Sequence, residues 1–346
     1  MGHALRAASA AGALAVLLSA VAVAQAAPAK GSGATFPAAA YAKWGADSGL
    51  ATYEGVGSGA GIDALIAGTV DFAGSDAPLS GEELGELAAA RGGVTPVYFP
   101  TLLGAITVPA NVSGVKRPLK LDPAALGKIF TGAIKRWNDP GIVKTNPGVK
   151  LPKAKITVCV RSDSSGTTFN FTTYLGKASA PFRNRIKPSK TPAWTTKIKA
   201  AEGNSGVANC IKRTTNAIGY VDLGDAIKNG LRSKIAAIKG AGARAGYVTP
   251  SRASISAAAT GGRVPADLVL NLLASKGAGA YPIVTTTYIV VYSSYGAAGN
   301  ANVDGVKRFL AYAYGAAAQG ALGALNYAPL PAAVASAAAE KAATLS

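Results

Sequence analysis

The sequence predicts an α/β protein of two domains. Short runs of β-forming residues alternate with stretches of helical periodicity, the pattern of strands joined by helices into largely parallel sheets. The chain has 346 residues, enough for two packed cores. Its charge is uneven: residues 111–282 carry 28 Lys and Arg against 7 Asp and Glu, while the rest carries 7 against 10, so the formal net charge of +18 belongs to the middle of the chain. A basic middle between near-neutral ends predicts that residues 27–110 and 283–346 fold together as one domain and that 111–282 form a second.

The elements follow in order. Residues 1–26 hold Arg6, an uncharged apolar run from about Ala7 to Ala24, and Ala24-Gln25-Ala26, the small-x-small form of a signal peptidase site. This predicts a secretory signal cut near Ala26. The alternative, an uncleaved membrane anchor, lacks flanking stop-transfer charges. Pro37 opens a helix with Ala40, Tyr41 and Trp44 at helical spacing, followed by a strand at Thr52–Glu54, a glycine-rich turn at Gly55–Gly61, a helix at Ile62–Ala67 and a strand at Val70–Ala73. Ser80 with Glu83 three residues on is a capping box, and Asp122-Pro123 reads as an N-cap before a first-turn proline. Ile156–Val160 reads as a buried strand carrying Cys159, Cys210 lies in a helical stretch, and Val303–Tyr314 is a further helix.

Composition excludes much chemistry. His3 is the only histidine and lies in the predicted signal, so the processed chain has no Ser-His-Asp triad, Cys-His pair or histidine metal site. Two cysteines cannot make a four-cysteine metal cluster. In an oxidising compartment they permit one disulfide, or they stay as two buried thiols; both readings remain open. The basic excess fits nucleic acid, an anionic membrane surface, steering of an anionic ligand, or a solvated surface. Export and an aromatic content of only 7% argue against nucleic acid.

Three segments share one design, a strand or turn, then small hydroxyl-bearing residues, then a helix: Gly31–Pro37, Gly55–Gly61 and Arg161–Thr167. Free N–H groups in a helix's first turn bind anions, serine and threonine hydroxyls add donors, and glycine permits close approach. One such turn is commonly only a cap; three in one exported chain, one led by an arginine, point to an oxyanion. Gly55-x-Gly57-x-x-Ala60 with Asp76 about 20 residues on also matches a dinucleotide fingerprint, but the strand before it is short and polar.

These residues carry a resemblance. Gly33-Ala34-Thr35-Phe36-Pro37, Tyr41-Ala42-Lys43-Trp44, Gly55-Val56-Gly57-Ser58, Val70-Asp71-Phe72, Ser75-Asp76-Ala77-Pro78-Leu79, the Arg161–Phe169 segment and Ala217-Ile218-Gly219-Tyr220-Val221 are similar to the periplasmic phosphate-binding proteins of Pst-type ABC importers, in order from about Gly31 to Pro331. The resemblance implies a two-domain periplasmic-binding-protein fold, Venus-flytrap type II, with the ligand cleft between domains. It implies inorganic phosphate as ligand, a membrane ABC permease and its ATPase as partners, the periplasm as location, a monomer, and neither cofactor nor catalysis. By matching position it implies phosphate contacts from Thr35 and Phe36 through backbone N–H, and from Ser58, Asp76, Arg161, Ser165, Gly166 and Thr167, with Asp163 pairing the arginine. Gly59-Ala60 departs from the Ser-Gly often found there in the family. The alternatives are a binding protein of the same fold for another oxyanion, and an exported basic scaffold or adhesive protein; a phosphatase is disfavoured by the missing histidine and metal cluster.

Overall fold

A computed structural model describes residues 26–242 and 245–346; the predicted signal, residues 1–25, lies outside the described residues. The larger sheet has six strands in the order Val221–Asp222, Pro96–Thr107, Val284–Tyr292, Phe72–Ser75, Ala29–Gly33 and Ala51–Gly55. Its middle is buried on both faces and largely apolar, as fits a strand covered on both sides: every residue of Val284–Tyr292 is buried, and so is Phe99 through Thr107 of its neighbour. Helix Ala38–Ser48 turns Tyr41 and Trp44 inward and helix Val303–Tyr314 turns Phe309 inward. Tyr41 meets Tyr53 edge-on at 4.9 Å and Phe72 stacks on Phe309 at 5.5 Å, geometries that favour aromatic pairs.

The second sheet has four strands in the order Ala110–Asn111, Ala217–Gly219, Thr157–Arg161 and Ile198–Ala201, and a third has three, Tyr247–Val248, Ala237–Lys239 and Lys120–Leu121. Helices Gly166–Ala178 and Gly203–Arg213 belong to this side, where Phe171 stacks on Tyr220 at 4.4 Å and meets Phe130 at 4.8 Å. Val221 and Asp222 pair with Thr107 and Ile106, so the middle of the chain lends a short strand to the edge of the large sheet.

The expectation of largely parallel sheets needs correction. Ala29–Gly33 pairs in parallel with both neighbours, but Val284–Tyr292 runs antiparallel to Phe72–Ser75 and, over nine residues, to Pro96–Thr107. A strand that returns from far along the chain needs no crossover helix, so its direction is free of the βαβ rule. The strand expected at Val70–Ala73 sits at Phe72–Ser75, because Val70 and Asp71 form the turn into it. Helix Val303–Tyr314 and the Ser80–Glu83 capping box are present. Asp122 does precede helix Pro123–Phe130, but its side chain caps nothing and takes the Tyr247 hydroxyl hydrogen instead. Cys159 and Cys210 are joined by a disulfide across Cα atoms 6.1 Å apart, settling the open alternative. That bond ties strand Thr157–Arg161 to helix Gly203–Arg213.

Candidate functional site

The three glycine-hydroxyl turns meet where the two sheets face each other. Strand Ala29–Gly33 must turn sharply into Ala34, and Gly33, at φ +141, has its backbone so close to Gly74 that a Cβ would lie 2.1 Å from the Gly74 carbonyl oxygen. Only glycine fits there. Beyond it the Phe36 ring is buried, and the Phe36 carbonyl accepts the Tyr327 hydroxyl, which holds the loop. No protein acceptor takes the backbone N–H of Thr35, Phe36 or Thr167 among the described residues.

Ser58 joins the second turn to the third. Its Oγ accepts the Gly166 N–H at 3.1 Å and the Asp76 N–H at 3.4 Å. With both lone pairs used, its hydroxyl hydrogen is a free, buried donor. Ser165 caps helix Gly166–Ala178 by accepting the Thr168 N–H at 3.1 Å, and its own hydrogen is likewise spare. Thr167 donates to Asp76 Oδ2 at 3.2 Å and Thr287 donates to Asp76 Oδ1 at 2.8 Å.

Two acidic residues do opposite things here. Asp163 takes Arg161 Nε on Oδ1 at 2.7 Å and Arg161 Nη2 on Oδ2, and also accepts the Gly203 N–H at 3.1 Å. Burial pushes the Asp163 carboxyl up, but the guanidinium and that N–H outweigh it and hold the group below its usual value. The pair leaves Arg161, only 6% exposed, with Nη1 donors uncommitted. Asp76, 3% exposed, is dominated by burial, which pushes its carboxyl from 3.8 up to about 6 against the pull of Thr287, Arg161 and Thr167. The ensemble is a ring of neutral and charge-assisted donors around one buried carboxyl that burial raises to about 6, suited to an oxyanion that brings its own proton.

Ser58, Asp76, Arg161, Asp163, Ser165, Gly166 and Thr167 are therefore drawn together, and Asn204 links Thr35 to them. Its backbone N–H and Nδ2 reach Thr35 Oγ1 at 3.3 and 3.1 Å, and Nδ2 also reaches Thr167 Oγ1 at 3.3 Å. Asn204 was missed in the sequence, although Ala201-Glu202-Gly203-Asn204 repeats the strand, glycine, helix design of the other three turns. Thr287 was missed as well; the signal was three consecutive threonines, Thr285 to Thr287, inside an apolar strand. A further long-range link pairs Lys190 with Glu83 of the capping box, both side chains mostly buried. A cavity of about 640 Å³ adjoins the donors, sharing Thr35 and Asn204 with them.

Two facing lobes with an oxyanion cage between them define a bilobal solute-binding protein. A family model described as a PBP superfamily domain matches residues 19–317. The chain is 35% identical over 318 residues to the phosphate-binding protein PstS of Haemophilus influenzae, covering 88% of this chain and 90% of that one, and 36% identical over 285 residues to PstS 3 of Mycobacterium tuberculosis, covering 81% and 74%. A solved high-affinity periplasmic phosphate-binding protein, PfluDING, bound with phosphate, superposes with a TM-score of 0.72 at 27% identity over 89% of this chain and 92% of that one. The chain belongs to the phosphate-binding protein PstS family of the PBP superfamily.

Proposed function

We propose that this chain binds inorganic phosphate between its lobes and delivers it, unchanged, to a membrane ABC permease and its ATPase. The observation that carries this reading is the buried Asp76 carboxyl inside a ring of hydrogen-bond donors. An ion accepting from many donors while giving one proton back fits hydrogen phosphate, and fully ionised sulfate has no proton to give. The contacts are assigned to the Thr35 and Phe36 N–H groups, Ser58, Asp76, Arg161, Ser165, Gly166 and Thr167, with Asp163 orienting Arg161 from behind. Residues 27–110 with 283–346 form one lobe and 111–282 the other in this reading. Each supplies part of the donor set, so binding is coupled to lobe closure. In this reading the protein works in the periplasm as a monomer, with its signal removed near Ala26; its likeness to a periplasmic phosphate-binding protein supports that location. No helix among the described residues is long and apolar enough to cross a membrane.

Calorimetry of phosphate-stripped protein tests this directly. Phosphate should bind at roughly micromolar affinity or better, given several charge-assisted hydrogen bonds of about 1.5–3 kcal/mol each less the cost of closure. Sulfate and a polyanion should show no comparable heat. Equal affinity for sulfate would replace phosphate with a general oxyanion as ligand, and preference for the polyanion would favour a scaffold role.

The Lys190–Glu83 pair bridges the proposed lobes at the rim. Lys190→Met should speed phosphate release several-fold, about 1 kcal/mol, while association changes little, since a partly buried ion pair holds the closed form rather than guiding encounter. Stopped-flow measurement of both rates checks this; an unchanged release rate would make the pair incidental to closure.

A further inference from the structure

Residues 116–155 carry ten Lys and Arg, and every one of them is exposed. The three ion pairs among the described residues are Lys43–Asp47, Arg161–Asp163 and Lys190–Glu83, so none of the ten is neutralised by a carboxylate. The two acidic residues in this stretch are engaged elsewhere: Asp122 accepts the Tyr247 hydroxyl and Asp139 accepts the Gly141 N–H. Backbone and side-chain contacts draw the segments that carry several of them together into one basic face. Arg117 donates to the Pro147 carbonyl at 2.8 Å and Arg136 to the Lys153 carbonyl at 2.6 Å. Arg136 forms a bridge with Lys155, and the Thr145 hydroxyl donates to the Lys120 carbonyl at 2.7 Å.

This face lies away from the oxyanion cage. Strand Thr157–Arg161 starts next to it, where the Ile156 N–H meets the Lys135 carbonyl, and ends at Arg161 in the cage. Four residue steps of a strand span about 13 Å, beyond the screening length of about 8 Å at physiological salt. Steering of small anions into the cleft is therefore a weak account of so much charge, and contact with something anionic is the stronger one.

We infer that this face docks the protein onto an anionic lipid bilayer. Eight of the ten are lysines, compact charges on flexible stems that suit a diffuse layer of headgroups. Both arginines spend donors on backbone carbonyls. Val143, 42% exposed and one of two exposed large hydrophobic side chains among the described residues, stands among them beside Lys144 and gives the face an apolar point to seat at the interface. Trp137 within the stretch is fully buried, so no aromatic platform is offered to nucleic acid bases. The inference goes beyond phosphate binding and does not depend on it.

The test is flotation of the exported, purified protein with vesicles of neutral phosphatidylcholine, and of phosphatidylcholine containing about one third phosphatidylglycerol. Binding should be at least about tenfold tighter to the anionic vesicles and should weaken by a similar factor between about 0.05 and 0.5 M salt. The combined variant Lys144→Glu, Lys150→Glu, Lys153→Glu and Lys155→Glu should lose vesicle binding while keeping phosphate affinity within about twofold, because none of the four is in the cage. If that variant folds poorly, the same four lysines changed to Gln keep the test open. The inference is overturned by equal or absent binding to both vesicle types, by a variant that binds like the parent, or by capture on a soluble polyphosphate with the anionic vesicles ignored.

Discussion

Arg161→Ala should weaken phosphate binding by about 3 kcal/mol or more, on the order of a hundredfold. Among the described residues the side chain is the one cation reaching the donor ring; it shares a two-point contact with Asp163 and keeps its Nη1 donors uncommitted. Truncation thus removes donors and also leaves a partly buried carboxylate facing an anion. Lysine at this position restores a charge but not the planar fork, so Arg161→Lys should recover part of the loss only. Titration of phosphate-stripped variants, with thermal melts to confirm folding, measures this. Affinity within threefold of the parent would reduce Arg161 to an internal ion pair of the lobe.

Asp76→Asn should leave phosphate affinity within about tenfold of the parent, yet narrow the discrimination against sulfate by more than that. A carboxylate accepts a proton from hydrogen phosphate but meets only lone pairs on sulfate; an amide can turn its N–H₂ towards either ion. The raised titration adds a pH signature. Because burial lifts the folded carboxyl from 3.8 to about 6, sulfate should bind the parent better as pH falls through about 6, while in the asparagine variant this dependence should vanish. Stability of the phosphate-free protein should move in a defined direction as well. Between about pH 4 and 6 the folded chain keeps a proton that the unfolded chain has lost, so the parent loses stability as pH rises across that window, by up to about 3 kcal/mol, and does not regain it above. The variant lacks this penalty, so it should melt higher than the parent at pH 7.5, with the difference shrinking towards pH 4. A variant that rejects sulfate as fully as the parent would place selectivity elsewhere.

Local features were the most legible in the sequence. The Ser80–Glu83 capping box and helix Val303–Tyr314 are set by residues within one or two turns, and both are present. The turns carrying Ser58 and Arg161–Thr167 were legible as candidate donor sets because hydroxyls and an arginine recur at three glycine-led helix starts, whereas Asp76, an acceptor, was reached only through the family resemblance. What failed depends on distant partners. The antiparallel pairing of Pro96–Thr107 with Val284–Tyr292 joins residues almost two hundred positions apart, and an apolar run carries no mark of its direction. The same holds for Cys159 with Cys210. Asn204 and Thr287 act through the residues they reach, Thr35, Thr167 and Asp76, and those contacts exist only once the chain has folded.

The proposed donor ring leans on the uncommitted peptide N–H groups of Thr35, Phe36 and Thr167, and this bears on inheritance. An amide hydrogen is the same whatever side chain it carries, so replacing Phe36 with another buried apolar residue alters packing but removes no donor. Such a site can be handed down while its surroundings drift, in keeping with relatives that share only about a third of their residues. Its weak points are positions with no side chain at all. At Gly33, where a Cβ would lie 2.1 Å from the Gly74 carbonyl oxygen, one added carbon would move the first turn and with it two amides, an innocuous-looking change that lineages keeping this ligand should rarely tolerate.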